Sequence, residues 1–108
     1  MNDYIQKIYD MMYLPILTPY NLLENAKLEN YSYVKYYKDL KGLIAEIECE
    51  IPDEGMRTFY YKFDDRDFLQ KITVVINESE EIVFERQKEI LHAKEDYYQN
   101  KLIKNKIG

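Results

Sequence analysis

The chain of 108 residues has the length of one domain, and we predict a single domain spanning residues 1–108. Its 20 acidic and 15 basic residues give a net charge of −5, which disfavours direct nucleic-acid binding because phosphate recognition needs a basic surface. No apolar run approaches the roughly 20 residues of a membrane span, and Met1–Tyr4 lacks the pattern of a signal peptide. One cysteine cannot form an intramolecular disulfide, so we expect a cytoplasmic protein.

Two short helices are predicted at the N-terminus. The segment Asp3–Leu14 has apolar residues at helical spacing, its first residue can cap the first turn, and Pro15 ends it. Thr18 followed by Pro19 is typical of a second helix start, and we expect that helix to end near 29–30.

Four antiparallel strands are predicted next, joined by turns at Gly42, at 52–55 and at 64–67. Apolar and polar residues alternate along them, which is typical of strands with one buried face. The predicted strands are Tyr31–Lys38, Ala45–Ile51, Arg57–Phe63 and Ile72–Ile76.

The two faces of this sheet follow from the register of the second hairpin. We predict that Ile51 faces Arg57 and Cys49 faces Phe59, because this pairing keeps the apolar residues on one side. Leu69 is expected on the opposite face. The predicted buried face consists of Val34, Tyr36, Ala45, Ile47, Cys49, Phe59, Tyr61, Phe63, Ile72, Val74 and Ile76.

The hydrophobic period changes after Asn77. Apolar residues from Val83 to Leu102 fall on one helical stripe, glutamates crowd its start and lysines its end, and Asn77 with Glu80 resembles a capping box. We predict one helix, Glu78–Asn105; the alternative is a fifth strand at 82–84 followed by a shorter helix. The expected fold is α+β: two short N-terminal helices, a four-stranded antiparallel meander and a long C-terminal helix packed on one sheet face.

The sequence lacks the residue sets of common catalytic and metal sites. Glu89 and His92 match half of a di-iron helix motif, which needs two such pairs, and this is the one histidine. Cys49 faces inward in the predicted register and is expected to be a buried small hydrophobe. The acidic turn 64–67 lacks the glycine and the closing glutamate of a calcium loop. We therefore predict a protein that is not an enzyme, with no catalytic residues, no cofactor and no metal.

Glu46, Glu48 and Glu50 form a column on the face opposite the predicted core. Neighbouring side chains in such a column lie about 6.5–7 Å apart, which is wide for two carboxylates to share one cation. Two interpretations stay open. The column is either a solvated face with Lys35 and Lys62 as cross-strand partners, or an acidic surface that docks a partner.

Tyrosine is unusually frequent, at 12 residues with three doublets. In a strand, a doublet sends one ring to each face, which places Tyr60 among the glutamates. Tyrosine is favoured in binding surfaces because it offers a large rigid contact area. The abundance of Ile, Lys, Asn, Glu and Tyr is also typical of AT-rich coding in low-GC bacteria and their phages, which would raise tyrosine without a function.

These features predict a protein-binding module that neutralises a basic partner, such as a nucleic-acid enzyme, in the manner of a bacterial or phage inhibitor or immunity protein. The residues expected to bind the partner are Glu46, Glu48, Glu50, Tyr60 and Lys62. The alternative is a structural or assembly protein that forms a homodimer through its C-terminal helix. The residues of that contact would be Tyr97, Tyr98, Leu102 and Ile103.

Overall fold

The structure is a computed structural model that describes residues 3–13 and 17–107, without the side chains at positions 3, 4, 7, 11 and 102–107. The helices are α1 (Asp3–Tyr13), α2 (Pro19–Asn25) and α3 (Arg86–Ile107). The strands are β1 (Tyr31–Lys38), β2 (Leu43–Ile51), β3 (Gly55–Phe63), β4 (Leu69–Ile76) and β5 (Ser79–Glu85). All five strands pair antiparallel with their sequence neighbours, in the order β1-β2-β3-β4-β5.

The α+β class, the antiparallel meander and the C-terminal helix are confirmed, but the sheet has five strands instead of four. The predicted helix Glu78–Asn105 is wrong in its first turns, because those residues form β5. Asn77 and Glu78 both have positive φ, at 50° and 69°, as the two central residues of a tight hairpin turn. Asn77 therefore reverses the chain and does not cap a helix.

The second hairpin has the predicted faces but not the predicted register. Cys49 pairs with Arg57 and Ile47 with Phe59, a shift of two residues along β3. The loop is shorter than expected: Asp53 takes φ 67° and Gly55 φ 87°, so β3 begins directly opposite Ile51. A two-residue shift returns each side chain to its original face, which is why the core prediction survives.

Leu69 lies on the core side, at 2% exposure, and its predicted place on the opposite face is wrong. The register of β3 and β4 shifts between Lys62 and Phe63, so that Lys71 still pairs with Lys62 while Leu69 pairs with Phe63. The extra residue in β4, Gln70, makes a β-bulge that turns Leu69 inward.

The core lies between one sheet face and α2. Leu22 of α2 is 2% exposed and packs with Ala45, Ile47, Cys49 and Phe63. The Tyr36 hydroxyl donates a hydrogen bond to the Pro19 carbonyl at 2.8 Å, which fastens α2 to β1. Most of the predicted buried face joins this cluster directly or packs on it.

The long helix α3 was expected on the buried sheet face, but it packs mainly along α1, and its sheet contacts fall on β4 and β5. Because β5 uses residues 79–85, α3 starts at the edge of the sheet and runs about 33 Å from there. The radius of gyration is 17.2 Å, against about 13 Å for a compact chain of this length. The α1–α3 pair therefore extends the molecule beyond the sheet.

Candidate protein-binding face

The sheet face opposite the core, called here the outer face, carries the side chains predicted to bind a partner. Paired residues of neighbouring strands share a face, so the pairing defines its rows. The central row runs through Lys35, Glu46, Tyr60, Thr73 and Ile82. Glu46 and Tyr60 are thus direct neighbours, whereas the predicted pairing of Glu46 with Lys62 is displaced by two residues.

Glu46 accepts hydrogen bonds from two tyrosines of β1. The Tyr33 hydroxyl donates to one carboxylate oxygen at 2.8 Å, and the Tyr37 hydroxyl donates to the other at 3.2 Å. These tyrosines stand on either side of Lys35, whose backbone pairs with Glu46. Both carboxylate oxygens are therefore engaged, and the two rings are fixed on the outer face at the edge of the sheet.

This contact changes the acidity of the phenols. The hydrogen bond to Glu46 is the main cause that raises the pKa of Tyr33 to about 12, with burial and the charges of Glu46 and Glu48 adding to it. Burial first, and then the charge of Glu46, raises the pKa of Tyr37. Burial, followed by the charges of Glu46 and Glu80, raises the pKa of Tyr60. The pKa values of all three phenols are thus raised, and the hydroxyl protons of Tyr33 and Tyr37 are donated to Glu46.

A shallow groove of about 290 Å³, called here the outer groove, crosses this face. Its lining consists of Tyr37, Ile44, Tyr60, Lys62, Val75 and Glu80. Each of the five strands supplies at least one of these side chains, and none of the described helices lines the groove. The outer groove is therefore open to a partner, with an apolar floor and polar walls.

The predicted binding residues differ in their surroundings. Lys62 lies 4.0 Å from Glu80 of β5, an ion pair across the groove. Glu48 is half-buried and Glu50 is exposed, next to Asn30, whose side chain donates to the Glu50 carbonyl at 3.2 Å. The structure thus places Glu46, Glu48, Tyr60 and Lys62 on one continuous surface, with Glu50 at its end.

One end of the sheet collects acidic loops. The antiparallel topology brings together the start of β1, the β2–β3 loop and the β4–β5 turn. We call this the acidic end, and its carboxylates are Glu29, Glu50, Asp53, Glu54, Glu78, Glu80 and Glu81. The cations of the same segments are Lys27 and Arg57. The negative charge of the chain is therefore concentrated beside the outer face, where it attracts a basic surface at long range.

Thr73 is nearly fully buried at the centre of the outer face, at 1% exposure. Its hydroxyl has no hydrogen-bond partner within the part of the chain that the structure describes. A buried hydroxyl of this kind costs stability, because it has lost water without gaining a protein partner.

The residues predicted for self-association lie on α3. Tyr98 is 60% exposed, Tyr97 is half-buried, and their rings meet edge to face at 5.4 Å between centroids. The side chains of Leu102 and Ile103 lie outside the described residues. Large apolar side chains are also exposed nearby on α1 and α3. They are Ile5, Tyr9, Met12, Tyr13 and Leu91.

The described residues contain no group of three or more metal-binding side chains, and His92 is exposed on α3. Cys49 is buried as predicted, and burial raises the pKa of its thiol. None of the helices in the described ranges is long and apolar enough to cross a membrane.

Sequence reasoning missed four residues of this face: Tyr33, Tyr37, Ile44 and Glu80. Pairing β1 with β2 across the Gly42 turn would have placed both tyrosines beside Glu46, because Tyr33, Lys35 and Tyr37 alternate on one face. Glu80 was missed because it was predicted to lie in a helix and not in a strand of the sheet. Ile44 ends the column of glutamates on β2 and gives the outer groove its buried floor.

Comparison of the chain with protein-family models, with curated proteins and with solved structures gives no match. The function is therefore argued from the geometry of the outer face alone.

Proposed function

We propose that the chain is a non-enzymatic protein-binding module of the cytoplasm, and that its outer face binds a basic protein. Such a protein acts as an inhibitor or immunity-type partner of bacterial or phage origin. The partner's cationic surface, for example that of a nucleic-acid enzyme, would lie over the outer groove and the acidic end.

The observation that supports this proposal most is the pair of hydrogen bonds that Glu46 accepts from Tyr33 and Tyr37. They hold two aromatic rings in place without covering the face. Rings that are fixed before binding lose little entropy in a complex, which is why tyrosine is common at interface hot spots.

Negative charge on the outer face increases towards the acidic end. Glu48 and Glu50 continue the column of Glu46 towards the acidic end, where carboxylates outnumber cations. A basic partner would be steered to that end, and its lysines and arginines would find hydrogen-bond acceptors among exposed side chains. Binding should therefore weaken as salt concentration rises.

The test compares two double charge reversals that change the net charge equally. Glu48→Lys with Glu50→Lys alters the outer face, whereas Glu95→Lys with Asp96→Lys alters exposed positions of α3. Glu46 is left intact because its reversal would also release Tyr33 and Tyr37. The partner captured from the native host by the wild-type protein is purified, and its affinity for each variant is measured.

The outer-face variant should bind at least tenfold more weakly, while the α3 variant keeps near wild-type affinity and both retain the wild-type melting temperature within a few degrees. Equal affinity of the two variants would refute the outer face as the binding site.

Self-association through α3 is a second candidate, because the α1–α3 pair exposes large apolar residues away from the sheet. Tyr98 and Leu91 on α3 are 60% and 55% exposed, and Tyr9 and Tyr13 on α1 are 55% and 58% exposed. A second copy that packed against this pair would cover them.

Sedimentation of the wild type, of Leu91→Lys with Tyr98→Lys, and of a control Tyr20→Lys on α2 distinguishes this candidate. A dimer that only the α3 variant disrupts would support it. A wild-type protein that stays monomeric at millimolar concentration would exclude it.

A further inference from the structure

The sheet ends in two edge strands, β1 and β5, each of which pairs with one neighbour only. An edge strand offers unpaired N–H and C=O groups to a further strand, and bulges and charged side chains protect against such pairing. In β5, Val83 has no partner in β4 and interrupts the strand, and three glutamates would oppose those of another β5. In β1 the residue without a partner is Ser32, so the rest of the strand is regular. Thus β1 is the edge better suited to accept another strand.

Two backbone hydrogen bonds fix which groups of β1 point outward. The Asp39 N–H donates to the Gly42 carbonyl beyond one end of the strand, and the Glu50 N–H donates to the Asn30 carbonyl beyond the other. Bonded and non-bonded pairs alternate in an antiparallel ladder, so every second residue of β1 turns its N–H and C=O away from β2. These outward residues are Val34, Tyr36 and Lys38. The described residues make no hydrogen bond to their outward groups.

Large apolar side chains are exposed along this edge and beyond both of its ends. Tyr33 and Tyr37 of β1 are partly exposed on the outer face. Leu40, in the turn after β1, is fully exposed, and Leu28, in the loop before β1, is half exposed. Antiparallel pairing of two β1 strands would bring the turn of one copy beside the loop of the other, at both ends of the contact.

We propose that β1 binds a second copy of this chain, with the two β1 strands antiparallel about a two-fold axis at Tyr36. The Tyr36 residues of the two copies exchange N–H···O bonds, and Val34 of each copy does the same with Lys38 of the other. This register uses the outward groups of all three residues and joins the two sheets into one. The contact does not depend on the proposed basic partner, and it uses other residues than the α3 contact.

The position of Lys35 selects this register. On the outer face, Lys35 of one copy lies opposite Tyr37 of the other. Its ammonium group is already 5.9 Å from the ring centroid of Tyr37 in its own strand, so the dimer adds a second ring beside the same charge. A two-fold axis at Lys35 would instead place two lysines directly opposite each other, which is destabilising.

Sedimentation of the wild type from micromolar to millimolar concentration measures the dimer, and two substitutions at Lys38 test its backbone hydrogen bonds. Lys38→Pro removes an outward N–H but keeps the bonds to β2, because proline is tolerated where the N–H of an edge strand faces away from the sheet. Lys38→Ala removes the same side chain and keeps the N–H. The dimer should be at least tenfold weaker in Lys38→Pro and changed less than twofold in Lys38→Ala.

Disulfide formation tests the register and does not require the proline variant to fold. Lys35→Cys is mixed with Tyr37→Cys, whose Cβ atoms would lie about 4.5–5.5 Å apart in the dimer, near the spacing of a disulfide. Within either variant alone, the two introduced cysteines would be diagonal neighbours about 7–8 Å apart. The native Cys49 is buried. Mild oxidation should therefore crosslink the mixture at least fivefold faster than either variant alone.

A wild-type protein that stays monomeric at millimolar concentration would overturn the proposal. Equal dimerisation of folded Lys38→Pro and Lys38→Ala would overturn it as well, and so would crosslinking of the mixture no faster than of Lys35→Cys alone. A dimer that is lost in Leu91→Lys with Tyr98→Lys but kept in Lys38→Pro would place the contact on α3 and not on β1.

Discussion

The hydroxyl of Tyr33 on β1 donates a hydrogen bond to the carboxylate of Glu46 on β2 at 2.8 Å. This contact joins two chemically different parts of the outer face, its aromatic edge and its acidic column. It also makes the ionisation of Tyr33 a direct report on the position of Glu46.

Replacing Glu46 by Gln should lower the pKa of Tyr33 from about 12 towards its ordinary value of 10.0, because the charged acceptor is lost. Because the pKa of Tyr33 is higher in the folded than in the unfolded protein, its contact with Glu46 contributes fully to the stability of the fold below pH 10. This contribution is lost as the pH rises towards 12. Nuclear magnetic resonance of tyrosine labelled at the ring carbon that bears the hydroxyl measures the titration. Glu48→Gln, which removes a smaller cause, is the control, and an unchanged Tyr33 titration in Glu46→Gln would contradict the contact.

Thr73→Val should raise the free energy of unfolding by about 1 kcal/mol, because it replaces an unpartnered buried hydroxyl by a methyl group of similar size. Urea denaturation measures the change. Thr58→Val, at a half-buried position of the same face, is the control and should have a smaller effect. A loss of stability in Thr73→Val would show that the hydroxyl does have a partner.

Glu78→Gly should stabilise the protein by about 0.5–1 kcal/mol, since glutamate at φ 69° is in a backbone region that glycine adopts without strain. The substitution also removes a charge, so Glu78→Gln serves as the control that keeps the strain. Thermal unfolding should place Glu78→Gly above both the wild type and Glu78→Gln. Equal stability of the two variants would mean that charge, and not backbone geometry, governs this turn.

Gly42→Ala should lower the free energy of unfolding by about 2 kcal/mol or more, because an added Cβ would meet backbone atoms. It would lie 2.8 Å from the carbonyl carbon and oxygen of Asp64, and it would also clash with the Phe63 carbonyl oxygen. At Gly55 a Cβ has room, with the Arg57 guanidinium 4.0 Å away, so Gly55→Ala carries only the cost of its positive φ. Denaturant titrations that found Gly55→Ala the more damaging would contradict this packing.

Alternation was sufficient to predict β1 to β4 and most of the core, because a buried face leaves a period of two in the sequence. The same period cannot distinguish registers that differ by two residues, so the turn conformation at Asp53 and Gly55 decided the pairing. The bulge at Gln70, which turned Leu69 inward, leaves no such periodic trace.

The strand β5 was missed for two physical reasons. Its turn uses Asn77-Glu78 where hairpins prefer Asn-Gly, and Ile82, Val83 and Phe84 are consecutive, so they show no alternation. Val83 and Phe84 also happen to fall seven residues before Ile90 and Leu91, which is helical spacing. Because β5 was missed, the prediction did not place Glu80 on the outer face, where it lies 4.0 Å from Lys62 across the outer groove.

Site-specific photocrosslinking tests the proposed outer face most directly. A benzophenone amino acid is introduced in place of Lys35 on the outer face, of Tyr20 on α2 or of Tyr98 on α3, all of which are exposed. Irradiation in the native host should crosslink the partner from position 35 and not from position 20 or 98. A partner crosslinked from position 20 or 98 but not from position 35 would contradict the account.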